Sequence, residues 1–101
     1  MRQAARIDEN QPEIVKALRS VGCLVQSMAA MGKGFPDLLV YRPSTDRYRL
    51  LEVKDGAKSP SRQALTPDQE KFHAIWPVTV VNSVEAALAA MGFNPDGSNL
   101  R

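Results

Sequence analysis

Three side chains carry the chemistry that this sequence offers. Asp37 follows Pro36, and Glu52-Val53-Lys54 comes one predicted strand later. In a β-strand residues i and i+2 share a face, so Glu52 and Lys54 project together while Val53 turns into the core. A turn at Pro43-Ser44-Thr45-Asp46 folds the first strand back on the second. If Tyr41 pairs with Tyr48, then Leu39 meets Leu50, Leu38 meets Leu51, and Asp37 lies opposite Glu52 with Cβ atoms about 5 Å apart. Two carboxylates at that separation repel unless a cation sits between them. Oxygen ligands suit magnesium or manganese. Such an ion polarises a phosphodiester, lowers the pKa of a bound water and steadies the leaving oxygen. Lys54 would stabilise the charge that develops, or orient the attacking water.

An ion pair on an exposed hairpin would use the same letters, because Glu-x-Lys is common in strands. Context weighs on the other side. Leu50-Leu51 precede Glu52 where an exposed edge strand would alternate, and Gly34 and Pro36 set the backbone before Asp37. The residues alone leave both readings open.

The elements that must position these groups follow from periodicity and punctuation. Asn10-Gln11-Pro12-Glu13 opens a helix, with Asn10 as cap and Pro12 in the first turn. Gln11, Ile14, Val15, Leu18 and Val21 share one face, and Gly22 is the expected stop. Strands are predicted at 23–28, 37–42 and 48–54, with a two-glycine loop at 31–36 and an exposed loop at 55–65. The paired leucines imply a sheet covered on both faces. Thr66-Pro67-Asp68-Gln69 starts a second helix with a threonine cap and a glutamine at the capping-box position, ending near Trp76-Pro77. A short buried strand at 78–82 follows, and Ser83 caps a last helix to about Met91. The order αβββαβα predicts an α/β or α+β sandwich with a mixed sheet flanked by helices.

Composition sets the frame. With 101 residues, 44% of them hydrophobic and 24% charged, the chain reads as one soluble globular domain at about 8–93. A basic arm is expected at 1–7 and a loose, flexible tail at 94–101. The net charge of +2 does not by itself indicate nucleic acid. One cysteine, Cys23, excludes an internal disulfide and reads as core in a reducing, cytoplasmic setting. No apolar run approaches the roughly 20 residues of a membrane helix, and the N-terminus does not resemble a signal peptide.

The remaining candidates have bland readings beside the functional ones. His73 reads as a packing histidine rather than a general base. Phe72 and Trp76 read as core rather than as a base-stacking platform, and Met28 and Met31 as packing. Lys33, Lys58, Arg62 and Lys71 lie on the loops and helix around the Glu52 strand, placed either to converge on phosphates or to form a solvated scatter.

Gly34-Phe35-Pro36-Asp37-Leu38-Leu39-Val40, Leu51-Glu52-Val53-Lys54 and Leu65-Thr66-Pro67-Asp68-Gln69 together resemble the VRR-NUC branch of the PD-(D/E)xK nucleases. The resemblance spans roughly residues 8 to 91 and is similar to the small stand-alone members of phages and bacteria. It implies a restriction-endonuclease-like core and an endonuclease that hydrolyses DNA phosphodiesters with Mg2+ or Mn2+. Asp37, Glu52 and the Val53 carbonyl would hold the metal, Lys54 would be the catalytic lysine, and Gln69 matches a glutamine that follows the core motif. Gln69 also completes the local capping box, and the two roles are compatible. The family usually carries a glutamate near the start of its first helix. Gln11 falls nearest that place here, with Asp8 on the same face if the helix begins sooner, so the number of metals is open. The resemblance further implies branched DNA, four-way junctions above all, and a homodimer, because symmetric junction cutting needs two sites. The apolar supply of Val78, Val80, Val81, the Ala-rich last helix and Phe93 would serve a dimer, or would simply cover the chain's own sheet. Against catalysis stand two alternatives: a DNA-binding module that keeps the fold without turnover, and an interaction protein with a fortuitous hairpin.

Overall fold

The apolar run Leu38-Leu39-Val40-Tyr41 forms β2 (Leu38–Arg42), pairing antiparallel with β1 (Leu24–Ser27) on one side and β3 (Arg47–Val53) on the other. The computed structural model describes residues 8–100, so the basic arm expected at 1–7 lies outside the described residues. The β2–β3 register places Tyr41 against Tyr48, Leu39 against Leu50 and Leu38 against Leu51, as the turn and the paired leucines predict. β4 (Val78–Val81) joins β3 in parallel, giving a four-stranded mixed sheet in the order β1-β2-β3-β4. Antiparallel neighbours need only a short turn, whereas the parallel pair needs the long crossover that carries the helices between β3 and β4.

The two faces of the sheet differ. Leu38, Val40, Leu51, Val53 and Val81 point to one side and are buried. There they meet Ile14 and Leu18 of α1 (Gln11–Ser20) and Ala87 and Leu88 of α4 (Val84–Ala90). Asp37, Leu39, Tyr41, Leu50 and Glu52 point to the other side by strand alternation. α3 (Pro67–Ile75) accompanies only the Glu52 end of that side. Leu24 and Tyr48 at the other end are 63% and 60% exposed, so the expected double cover is incomplete.

Four further local expectations are corrected. Asn10 does not cap α1 with its side chain; its Nδ2 instead donates to Lys54 O at 3.1 Å and Asn82 O at 3.4 Å, tying the helix start to the ends of β3 and β4. The loop after Lys54 contains one helical turn, α2 (Pro60–Gln63), begun by Pro60. β4 is an edge strand, and only Val81 is buried while Val80 is 46% exposed. Residues 94–100 do not trail away: Asn94 N–H donates to Ser98 O at 2.7 Å and Leu100 N–H to Gly92 O at 3.0 Å. The reason is Arg42, buried at the end of β2, whose guanidinium lies over the Phe93 ring and donates to Met91 O, Gly92 O and Asn99 Oδ1. Folding the chain back satisfies that charge.

Candidate active site

Asp37 sits immediately before β2 and is held from both sides. Its carbonyl accepts from Met28 N–H at 2.8 Å, and its Oδ2 accepts from Val53 N–H at 2.7 Å. The second contact fixes the carboxylate beside the end of β3, where Glu52 and Lys54 emerge. Glu52 is 2% exposed, Lys54 8% and Asp37 9%. An ion pair on an open hairpin would not bury all its members, so burial decides against that reading.

Gln69 joins these groups. The Thr66 capping box is complete: Gln69 N–H donates to Thr66 Oγ1 at 3.2 Å, and Thr66 N–H donates to Gln69 Oε1 at 3.0 Å. The same Oε1 accepts from Lys54 Nζ at 2.8 Å, and Gln69 Nε2 donates to Glu52 Oε2 at 3.1 Å. The cap and the site are therefore one network. Gly34 makes room for it, with φ +78 and a position where any Cβ would overlap the Asp68 backbone and lie 2.7 Å from Gln69 N.

A cavity of about 320 Å³ opens over the network, lined among others by Asp8, Lys33, Asp37, Glu52, Lys54 and Gln69. Burial, then the hydrogen-bonding contact with the Asp37 carboxyl and its charge, pushes the Glu52 carboxyl up to about 9 against the pull of Lys54. Burial and the Asp37 charge also raise Asp8, partly offset by Lys54. His73 Nε2 lies 3.8 Å from Glu52 Oε1, yet burial and the Lys54 charge depress its pKa, so this contact is not an ion pair. Both facing atoms are buried without a hydrogen-bond partner.

An unpartnered oxygen on a carboxylate beside a second carboxylate fits a hard divalent cation. Among the described residues no three His, Cys, Asp or Glu side chains form a ready-made cage. A cation here would complete its shell from backbone carbonyl, water and substrate oxygens, as magnesium commonly does.

The other candidates sort by place. Gln11 is buried with Oε1 unpartnered but does not line the cavity, whereas Asp8 does. Lys33 is exposed at the cavity mouth, and Lys58 is near enough to Asp8 to act on its charge. Arg62 on α2 and Lys71 on α3 are exposed and make no cluster with them that the geometry brings to the cavity. Sequence reasoning undervalued two side chains of α3. His73 faces Glu52, which its spacing of four from Gln69 could have signalled. Trp76, expected in the core, is 53% exposed because α3 ends there at the rim of the sheet.

The VRR-NUC domain model matches residues 3–75, most of the chain. The chain belongs to the VRR-NUC family. Its motif residues fall where the cavity is, and its mixed sheet flanked by helices accords with the PD-(D/E)xK nuclease core. Membership makes it a nuclease domain with DNA as the substrate class. No curated protein and no solved structure matches the chain. Among the described residues no helix is long and apolar enough to cross a membrane.

Proposed function

We propose that this VRR-NUC chain is an endonuclease that hydrolyses DNA phosphodiesters with Mg2+ or Mn2+. The observation that carries the reading is the burial of Asp37, Glu52 and Lys54 around one cavity, with a carboxylate oxygen left unpartnered. Asp37, Glu52 and the Val53 carbonyl would hold the ion, which when bound polarises the scissile phosphate and acidifies water. Val53 N–H and Gln69 fix the orientation of the two carboxylates. Lys54, itself oriented by Gln69, presents its ammonium to the phosphate as negative charge builds. Lys33 at the mouth, with Lys58, Arg62 and Lys71 as weaker contributors, would meet flanking phosphates. The buried free thiol of Cys23 suits a reducing cytoplasm.

Branched DNA, four-way junctions first, and a homodimer that presents two sites to one junction are carried by the family resemblance. The pairing face would not be α4, since Ala87, Leu88 and the following Met91 are buried in the chain's own core.

The test is cleavage of linear, flapped and four-way DNA in manganese or EDTA, beside Asp37→Ala. Manganese-dependent cutting by wild type, strongest on the branched substrates and lost in the variant, is expected. DNA binding without cutting in any metal would favour a non-catalytic module. Equal cutting in EDTA, or by Asp37→Ala, would sink the metal site. Sedimentation at micromolar concentration checks the assembly, and a monomer that cuts junctions fully would overturn it.

A further inference from the structure

One stripe of α3 serves two environments. Gln69, Phe72, His73 and Trp76 recur at helical spacing along a single side. The N-terminal part of the stripe turns to Glu52 through Gln69 and His73. The C-terminal part continues outward as aromatic rings. Phe35, which lines the cavity, lies 5.1 Å from Phe72 between ring centroids, and Phe72 stacks on Trp76 at 5.8 Å and 20°. Trp76 closes the row with 53% of its surface exposed.

What sets Trp76 apart from a lone exposed hydrophobic is its backing: its ring stacks on Phe72, which in turn packs on Phe35 at the cavity wall. We propose that Trp76 is a stacking platform for an unpaired nucleobase of the DNA substrate. This rests on the nuclease reading. The occupant follows from continuity: the aromatic row starts at the wall of the cavity that would hold the scissile phosphate. Its length corresponds to about three base rises, so the stacked base would belong to a nucleotide close to the cut. A base inside an intact duplex has no free face, whereas one at a flap, gap or branch can swing onto the indole. Trp76 thereby supplies a physical basis for preferring interrupted DNA, one that recognises no sequence because every base has a π-face.

The chain's only tryptophan is Trp76, so intrinsic emission reports this contact without a label. In EDTA, single-stranded and flapped DNA should quench the emission as binding proceeds, followed in parallel by anisotropy of end-labelled DNA. Blunt duplex of equal length should bind without comparable quenching. Trp76→Ala should weaken flapped-DNA binding about 5- to 150-fold and leave duplex binding nearly unchanged, whereas Trp76→Phe should retain most of the affinity. Binding with unchanged emission overturns the platform. An emission shift that depends on protein concentration in the absence of DNA also overturns it, making the patch a self-association surface. Cleavage of the same DNAs in manganese separates the two levels of failure. If wild type and Trp76→Ala cut flapped DNA equally, only the platform falls. If wild type cuts nothing, the nuclease reading falls with it.

Discussion

Replacing Gln69 with alanine separates what a capping residue does for the helix from what it does for the site. The substitution removes hydrogen bonds to Glu52 Oε2 at 3.1 Å, Lys54 Nζ at 2.8 Å and Thr66 N–H at 3.0 Å. Thr66→Ala removes only the 3.2 Å bond from Gln69 N–H and leaves the three others possible. Losing a threonine cap costs about 1 kcal/mol. A buried polar group left unpartnered costs about 1–3 kcal/mol. Gln69→Ala strips a partner from two such groups, but water entering the cavity would replace part of each bond. The expected loss is therefore about 2–4 kcal/mol for Gln69→Ala against about 1 kcal/mol for Thr66→Ala.

Activity should separate the two variants further. Misplacing a reacting group by about 1 Å can lower a rate on the order of 100-fold. Gln69→Ala frees both Glu52 and Lys54 to move, so kcat should fall about 100-fold, whereas Thr66→Ala should stay within about 3-fold of wild type. Urea unfolding gives the stabilities, and cleavage at saturating DNA and manganese gives kcat. Gln69→Glu adds a control. It keeps an acceptor for Lys54 and Thr66 but sets a carboxylate against Glu52 in place of a donor, so it should fold and still cut poorly. Wild-type kcat in Gln69→Ala would refute the reasoning. So would activity losses in Thr66→Ala and Gln69→Ala that merely track their stabilities, which would make Gln69 a cap and nothing more.

Three further outcomes are expected. Lys54→Ala should lower turnover strongly with DNA affinity nearly unchanged, and a proportional loss of binding would make Lys54 an ordinary phosphate contact. Gly34→Ala should destabilise by about 2–4 kcal/mol and depress cleavage more than the binding of DNA, because the Asp68 backbone and Gln69 must shift; wild-type unfolding and cleavage would show that the loop simply moves aside. Burial and Asp37 raise Glu52 from 4.5 to about 9, so its stabilising share is full below 4.5 and is lost as pH rises toward 9. The metal-free melting temperature should fall from pH 7 to 9 with a slope that Glu52→Gln flattens, and manganese should restore more stability at pH 8 than at pH 6. The depressed pKa of His73 acts with the opposite sign, present above 6.5 and lost below it, which leaves the upper window to Glu52. An unchanged slope in Glu52→Gln would show that Glu52 does not fold with its proton.

The hairpin and the capping box were legible because their information is local. Strand alternation and a short turn leave one register that buries Leu38 and Leu51 together, and that register carries Asp37 to Glu52. Thr66 and Gln69 sit three apart and need nothing distant to form their box. The misreadings all concern what lies across from a residue. Asn10 looks like a cap, but the ends of β3 and β4 supply acceptors for its amide that the helix's own first turn does not. Val80 and Trp76 have core-forming side chains, yet β4 is the edge strand and both stay exposed among the described residues. Arg42 carries no motif, and only the closing turn of the chain reveals that carbonyls and Asn99 surround it.

The placement of imperfect hydrogen bonding adds a physical argument for the site. Among the described residues, the buried side-chain atoms without a partner are Asn10 Oδ1, Gln11 Oε1, Glu52 Oε1 and His73 Nε2. Each such group costs about 1–3 kcal/mol, a large fraction of the margin by which a small domain is folded. A fold selected for stability alone would exchange Glu52 for an apolar residue, since its side chain is buried with one oxygen unpartnered and its strand neighbours Leu51 and Val53 are already core on the opposite face. Instead the unpartnered atoms gather at the start of α1, which Asn10 ties to Lys54, and at Glu52 with the histidine that faces it. Unpartnered polar atoms concentrated where acidic and basic groups converge support the reading of a site that takes a charged ligand. It also explains why the sequence betrayed its site: Glu52 and Lys54 follow two leucines into a buried strand end, a place where charge persists only if something is gained by keeping it.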